Sequence, residues 1–119
     1  MAQVIREDRL EGRPFASLAS TRFGQVYRKG RRSEVGSVLV ITGDGESGPP
    51  QVGIVAGRSV GNAVRRNRAK RRLREAMSQV ELQRNATYVV VASPEVVAVP
   101  FAELKDRLRA AIVENEESR

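Results

Sequence analysis

Three stretches of the chain concentrate apolar residues in the way that strands do. Val35 to Thr42 is rich in β-branched residues, and Gln51 to Ala56 follows it after a connection, 43–50, that is rich in Gly and Pro. We expect these two strands to form a hairpin. Tyr88 to Ala92 is apolar throughout, which is typical of an inner strand that is covered on both faces.

Three other stretches have the period of a helix. The first has apolar residues at helix-like intervals, with Ser20 or Thr21 as the N-cap and Gly30 just after the end: Phe15, Leu18, Phe23, Val26 and Tyr27. The second, at about 61–80, carries one apolar stripe: Ala69, Leu73, Ala76 and Val80, with Met77 at its edge. The third begins near Pro100, and its apolar face is formed by Phe101, Leu104, Leu108 and Ile112.

The order of these elements predicts one α+β domain. With a short first strand near Arg31 to Ser33, we expect the order α-β-β-β-α-β-α and a mixed four-stranded sheet with helices on one face. Residues 14–113 would form the domain, because 119 residues suffice for a single core. Residues 1–13 are expected to be a flexible tail, and the acidic residues 114–119 are expected to fray.

The positive charge of the chain is concentrated in the second predicted helix and the turn before it. From Arg58 to Arg74, eight residues are Arg or Lys and none is acidic, which leaves 13 basic against 14 acidic residues elsewhere. On a helix, Arg66, Lys70 and Arg74 form one row, and Asn67 and Arg71 form a second row beside it. A solvated surface helix usually interleaves acidic residues, so this pattern favours a polyanionic partner.

Composition narrows the chemistry that the polypeptide itself can perform. The chain has no Cys and no His, so thiolate nucleophiles, thiolate metal sites and imidazole general bases are not available. No apolar run is long enough to span a bilayer and no signal-peptide core precedes the domain, so we expect a cytoplasmic protein without a membrane partner. A sequence pI near 11.0 favours nucleic acid. A DNA-reading helix is disfavoured because the flanking elements have strand patterns.

The basic stretch resembles the signature of the protein subunit of bacterial ribonuclease P. The matching residues are Gly61-Asn62-Ala63-Val64, Arg66-Asn67-Arg68, Lys70-Arg71 and Arg74. Phe23, Val26, Tyr27 and Gly30 are similar to the first helix of that family, although Arg22 stands where the family usually has an acid. The resemblance implies a two-layer sandwich like the second domain of ribosomal protein S5, with a left-handed β-α-β crossover.

The resemblance also implies a function in which RNA performs the hydrolysis. The protein would bind a catalytic RNA and the single-stranded 5′ leader of precursor tRNA, with Mg²⁺ held by the RNA and substrate rather than by the polypeptide. Together with the charge of the basic stretch, it predicts RNA contacts by Arg58, Asn62, Arg65, Arg66, Asn67, Arg68, Lys70, Arg71 and Arg74. It implies a leader-binding cleft formed by Phe23, Tyr27, Lys29, Arg31 and Ile41. The alternative is a ribosomal or ribosome-assembly protein that binds structured RNA without a role in cleavage.

Overall fold

The structure is a computed structural model that describes residues 14–45 and 47–118. Its strands are β1 (Ala16–Ser17), β2 (Arg31–Val35), β3 (Val38–Asp44), β4 (Gln51–Val55) and β5 (Ala86–Ala92). Its helices are α1 (Phe23–Lys29), α2 (Ala63–Met77) and α3 (Phe101–Glu117). Short 3-10 turns lie at Ser20–Arg22, Arg58–Val60 and Pro94–Val97. The prediction for residues 1–13 lies outside the described residues.

The five strands form one mixed sheet in the order β1-β4-β5-β3-β2. β5 lies at the centre, parallel to β4 and antiparallel to β3, which confirms the prediction of an inner strand. The predicted hairpin of β3 and β4 is wrong, because β5 is inserted between them. The most apolar strand takes the central position, where both of its edges are hydrogen-bonded and all of its side chains except that of Val91 are buried.

The sheet has one strand more than predicted and a turn where one long strand was expected. The additional strand is β1, whose two residues pair in parallel with Gln51 and Val52 of β4. The stretch predicted as a single strand from Val35 is divided by a turn at Gly36, which has a φ of +57°. The described residues thus form a single α+β domain with a five-stranded sheet. The left hand of the β4-α2-β5 crossover stays a prediction.

The main core lies between one face of the sheet and the helices α2 and α3. All five predicted apolar residues of the α2 stretch are buried there, as are Leu104, Leu108 and Ile112 of α3. The phenol of Tyr88 also lies in this core and its oxygen accepts a hydrogen bond from the Gln83 amide at 2.9 Å. Burial raises the pKa of the Tyr88 phenol above its ordinary value.

Within the described residues, α1 is the helix on the other face of the sheet, and it begins later than predicted. Phe15 and Leu18 are buried but precede the helix, and Arg22 stands at the N-cap position without a side-chain cap bond. The helix crosses the sheet from β4 to β3. A Cβ at Gly53 of β4 would lie 2.3 Å from the Phe23 ring, so only glycine permits this close approach.

The end of α3 is fixed by a buried polar cluster. The Asn115 amide nitrogen donates to the Val40 carbonyl and to the Thr42 hydroxyl, both at 3.0 Å, and its oxygen accepts from the Ser33 hydroxyl at 2.7 Å. The prediction that residues 114–119 fray is therefore wrong for the described part, because α3 continues through Glu117 and Asn115 is 1% exposed.

Candidate nucleic-acid interface

The basic helix α2 begins at a side-chain cap supplied by Asn62. Its Oδ1 accepts a hydrogen bond from the backbone amide of Arg65 at 2.9 Å, which satisfies one of the free donors of the first turn. Asn62 was predicted to contact RNA, and its side-chain carbonyl oxygen also stabilises the start of the helix. Its amide nitrogen forms no hydrogen bond with the described residues.

Two of the predicted RNA-contacting arginines fold back onto the turn that precedes α2. Arg65 donates through Nε to the Val60 carbonyl at 3.1 Å, and Arg66 donates to the Gly61 carbonyl at 2.8 Å. Gly61 has a φ of +135°, which a side chain would strain, and a Cβ there would lie 2.7 Å from the Arg65 stem. The two arginines therefore help to fix the turn, and each keeps further guanidinium donors for a partner.

Both predicted rows of side chains lie on the solvent side of α2. Ala69, Leu73 and Ala76 are fully buried, whereas Asn67, Arg71 and Arg74 are exposed and Lys70 is half-buried. The rows border a shallow surface depression of about 350 Å³ whose lining is Asn67, Lys70, Arg71, Arg74 and Glu75. Glu75, the acidic residue in this lining, accepts a hydrogen bond from Gln79 at 3.1 Å.

Five cations of the basic stretch have neither an acidic partner nor a side-chain hydrogen bond among residues 14–45 and 47–118, unlike Arg65, Arg66 and Arg72. They are Arg58, Arg68, Lys70, Arg71 and Arg74, and the ion pairs found within those ranges belong to α3 instead. We call these five the unpaired cations. Concentrating like charges costs free energy unless a polyanion neutralises them, so the arrangement is suited to phosphates.

One arginine of the basic stretch serves the fold instead of the surface. Arg72 donates to the carbonyls of Val96 and Val99, the latter at 2.5 Å, and so ties α2 to the segment that precedes α3. Arg72 was counted in the charge of the stretch but was not predicted to contact RNA. The distinction follows from helical geometry, since Arg72 lies next to the buried stripe at Leu73.

The predicted cleft residues Phe23 and Tyr27 lie one turn apart on α1. Both are partly exposed, and they pack together with Leu39, Val55 and Val91 against one apolar cluster. The register aligns Val91 with Leu39 on one side and with Val55 on the other, so these three residues form a row across the sheet. Val55 ends β4 three residues before Arg58, so this apolar row lies at the end of the sheet where the basic stretch begins.

Two other predicted cleft residues are not on this surface. Ile41 is 0% exposed because α1 covers it, and it packs with Leu18, Val26 and Val89, so its prediction as a cleft-lining residue is wrong. Arg31 lies away from the rings as well, although it lines a depression together with Lys29. Its Nε donates to the Asn115 carbonyl at 3.0 Å, because strand alternation directs Arg31 to the face of α3.

The remaining predicted cleft residue, Lys29, is exposed on the opposite side of α1. It lines a depression of about 160 Å³ together with residues at the end of β3, among them Gly43 and Asp44. The residues that the prediction missed are Leu39, Val55 and Val91. Their alternation with buried neighbours was visible in the sequence, but the register that aligns them was not.

Other kinds of site find little support in the part of the chain that the structure describes. Within it, no group of three or more His, Cys, Asp or Glu side chains is placed so that it could hold a metal ion. No helix in the same residues has both the length and the apolar character that crossing a membrane requires.

The fold and the basic helix define a small α+β protein that binds nucleic acid. A family model described as Ribonuclease P matches residues 17–115, and the chain belongs to this family. It is 41% identical over 95 residues to the ribonuclease P protein component of Kocuria rhizophila, covering 78% of this chain and 80% of that protein. It is 38% identical over 108 residues to the ribonuclease P protein component of Acidothermus cellulolyticus, covering 84% and 89%.

A solved structure supports the same assignment. The ribonuclease P protein from Thermotoga maritima superposes with a TM-score of 0.68 at 25% identity, covering 77% of this chain and 90% of that one. The chain is accordingly a ribonuclease P protein of the bacterial type, an RNA-binding component of an endoribonuclease holoenzyme in tRNA processing. Family membership implies ribonuclease P RNA as its partner.

Proposed function

We propose that the exposed face of α2 binds the catalytic RNA of ribonuclease P and that this complex removes the 5′ leader of precursor tRNA in the cytoplasm. The observation that carries the proposal is the set of five unpaired cations, four of them on α2 and the fifth, Arg58, in the turn just before it. Arg68 and Arg71 lie three residues apart on α2, and a helix holds such side chains at a fixed spacing. The helix fixes where the side chains begin, and the guanidinium and ammonium groups, which make no hydrogen bonds within the described residues, keep their donors for phosphates.

The second part of the proposal concerns the leader. Phe23 and Tyr27 offer partly exposed rings beside the apolar row Leu39-Val91-Val55, and aromatic faces stack on unpaired bases of any sequence. Stacking contributes about 1–3 kcal/mol per base, which suits a set of leaders that differ in sequence. Arg58 lies near the end of this row, and its guanidinium would contact the phosphates between the two surfaces.

In this proposal the polypeptide supplies no catalytic group. The Mg²⁺ ions that activate water would be held by the RNA and substrate, and the protein would lower the Mg²⁺ concentration that the RNA requires by neutralising phosphates. The chain's own contribution is binding and orientation.

The test is processing of precursor tRNA by ribonuclease P RNA at low Mg²⁺, with and without the protein. Wild-type protein is expected to restore cleavage, and R68Q/R71Q is expected to weaken RNA affinity by about tenfold or more because two charge-assisted contacts are lost. The matched control R84Q/R109Q also removes two positive charges, from exposed arginines that line a groove beside α3. It should behave like wild type. Equal defects in both double variants would show that only net charge matters and would refute a defined α2 interface.

A further inference from the structure

The surface of α2 contains an apolar residue that the fold does not use. Among the described residues, two large hydrophobic side chains are exposed, Val64 at 66% and Val113 at 43%. Val64 is the more exposed of the two, and it stands in the first turn of α2, next to Arg65. An isolated exposed valine needs no explanation on an ordinary surface, but this one lies in the most basic part of the chain.

Helical geometry explains why Val64 belongs to neither core cluster of the described residues. Nine residues separate it from Leu73, and at 3.6 residues per turn this places the two side chains about 180° apart. Leu73 is 0% exposed, so Val64 points directly away from the core. A β-branched residue is also a poorer helix former than Ala. Val64 therefore adds neither packing nor helix propensity to the domain.

The neighbours of Val64 identify the kind of molecule that would cover it. Asn67, Arg68 and Arg71 follow it at i+3, i+4 and i+7, so they share its face of α2. Arg68 and Arg71 belong to the unpaired cations, and Arg65 is held against the Val60 carbonyl beside this face. Any RNA strand that contacts both Arg68 and Arg71 lies within reach of the Val64 methyl groups.

We propose that Val64 is an RNA-contacting residue that packs against the face of an unpaired nucleobase in ribonuclease P RNA. Phosphates offer no apolar surface, and the bases of a regular RNA duplex are stacked on each other, so the apolar partner is a base in a loop, a bulge or a junction. This inference rests on the proposed function of α2. It adds a contact that requires an unpaired, accessible base in the RNA, whereas the unpaired cations would bind the phosphates of any RNA strand.

The test compares the two exposed valines through the same substitution. V64T keeps the β-branched shape and replaces a methyl group by a hydroxyl, and it should weaken binding of ribonuclease P RNA about fivefold. V113T is the matched control on α3 and should bind like wild type. V64A places a better helix former at this position, so it should melt no lower than wild type and still bind less tightly. V64I keeps the apolar contact and should restore wild-type affinity.

Salt dependence separates this contact from the charged ones. Because V64T removes no charge, the slope of log affinity against log salt should equal that of wild type, while the affinity is lower at every salt concentration. A changed slope in V64T would show that Val64 acts through its cationic neighbours and would overturn the inference. Wild-type affinity for V64T and V64A would overturn it as well.

A photocrosslink gives an independent readout in the full chain. The chain contains no Cys, so V64C and V113C each provide one attachment point for a photoreactive maleimide. V64C is expected to crosslink to an unpaired nucleotide of the RNA and V113C is not. Crosslinks from V64C that fall only in regular duplex would contradict the inference. If wild-type protein fails to bind the RNA at all, the proposed function itself fails, which is a different result from wild-type binding with an unaffected V64T.

Discussion

At the scale of single residues, Asn115 is a buried polar side chain that connects the last helix to two strands. Its amide bonds to β2 through Ser33 and to β3 through Val40 and Thr42. A buried donor or acceptor that loses its partner costs about 1–3 kcal/mol, so a cluster in which every group is satisfied holds α3 at one position on the sheet. Periodicity alone did not reveal it, because a single Asn in an acidic segment has the composition of a helix end.

Replacing Asn115 by Ala should lower the free energy of unfolding by about 2–4 kcal/mol, because Ser33 and Thr42 lose a buried partner and a cavity is left. Equilibrium unfolding in urea measures the change. E114A is the matched control: its side chain is the exposed neighbour on the same helix, and the variant should lie within about 0.5 kcal/mol of wild type. If N115A were no less stable than E114A, the cluster would contribute nothing to stability.

At the scale of elements, α1 divides one face of the sheet into two unequal parts. On one side lies the apolar row Leu39-Val91-Val55 with the rings of Phe23 and Tyr27, and on the other side lie Lys29 and the end of β3. The five residues predicted to form one cleft are thus not brought together: Phe23 and Tyr27 border the row, Ile41 is buried, and Lys29 and Arg31 line the depression near the end of β3. The part that keeps partly exposed aromatic rings is the one suited to stacking bases.

The substitution Tyr27→Leu tests whether the aromatic ring beside the apolar row stacks on a base of the leader. Leucine keeps the apolar packing against the cluster but removes the ring, so affinity for precursor tRNA in the presence of ribonuclease P RNA should fall about tenfold through lost stacking. Affinity for mature tRNA, which has no leader, should stay unchanged. Q25A, an exposed change on the same helix, is the control and should affect neither substrate. Equal losses for precursor and mature tRNA would assign Tyr27 a structural role.

At the scale of the whole molecule, the sheet separates two surfaces of different character. The helices α2 and α3 cover one face and α1 covers the other, so a base stacked on the Leu39-Val91-Val55 row cannot also contact the solvent side of α2. Charge is also distributed unevenly, here between the two helices that share one face of the sheet. The basic stretch contains no acid from Arg58 to Arg74, whereas the ion pairs found in the described residues, Arg107–Glu103 and Arg109–Asp106, lie on α3. Electrostatic attraction should therefore orient the domain with α2 toward RNA.

The salt dependence of RNA binding measures how many phosphates the basic surface neutralises. If the five unpaired cations each contact one phosphate, log affinity should fall with log salt at a slope of about −4.5 for duplex or about −3.5 for single strands. R68Q/R71Q should reduce the slope for duplex by about 1.8. The α3-side variant R84Q/R109Q should leave it near that of wild type, and a flat dependence in wild type would contradict the phosphate contacts.

The spacing of apolar and charged residues along short stretches of the chain was sufficient to predict the buried faces of two helices and the central strand. The buried stripe of α2, the amphipathic face of α3 and the apolar character of β5 follow from the spacing of residues a few positions apart. The exposure of the cationic rows could also be predicted from nearby residues, because the buried face of a helix determines which residues lie on the opposite face. The family assignment came from an ordered motif within that same helix and is confirmed by the comparisons.

The sequence by itself thus determined the three helices and the central strand, which face of α2 is basic and to which family the chain belongs, because these depend on short-range periodicity and residue identity. Only the tertiary structure decided that β5 separates β3 from β4, that Ile41 is covered and Arg31 turned toward α3, and that Asn115 fixes the last helix. These features depend on strand order and register, which join residues far apart in the chain. A shift of one residue in register would have exchanged the two faces of a strand.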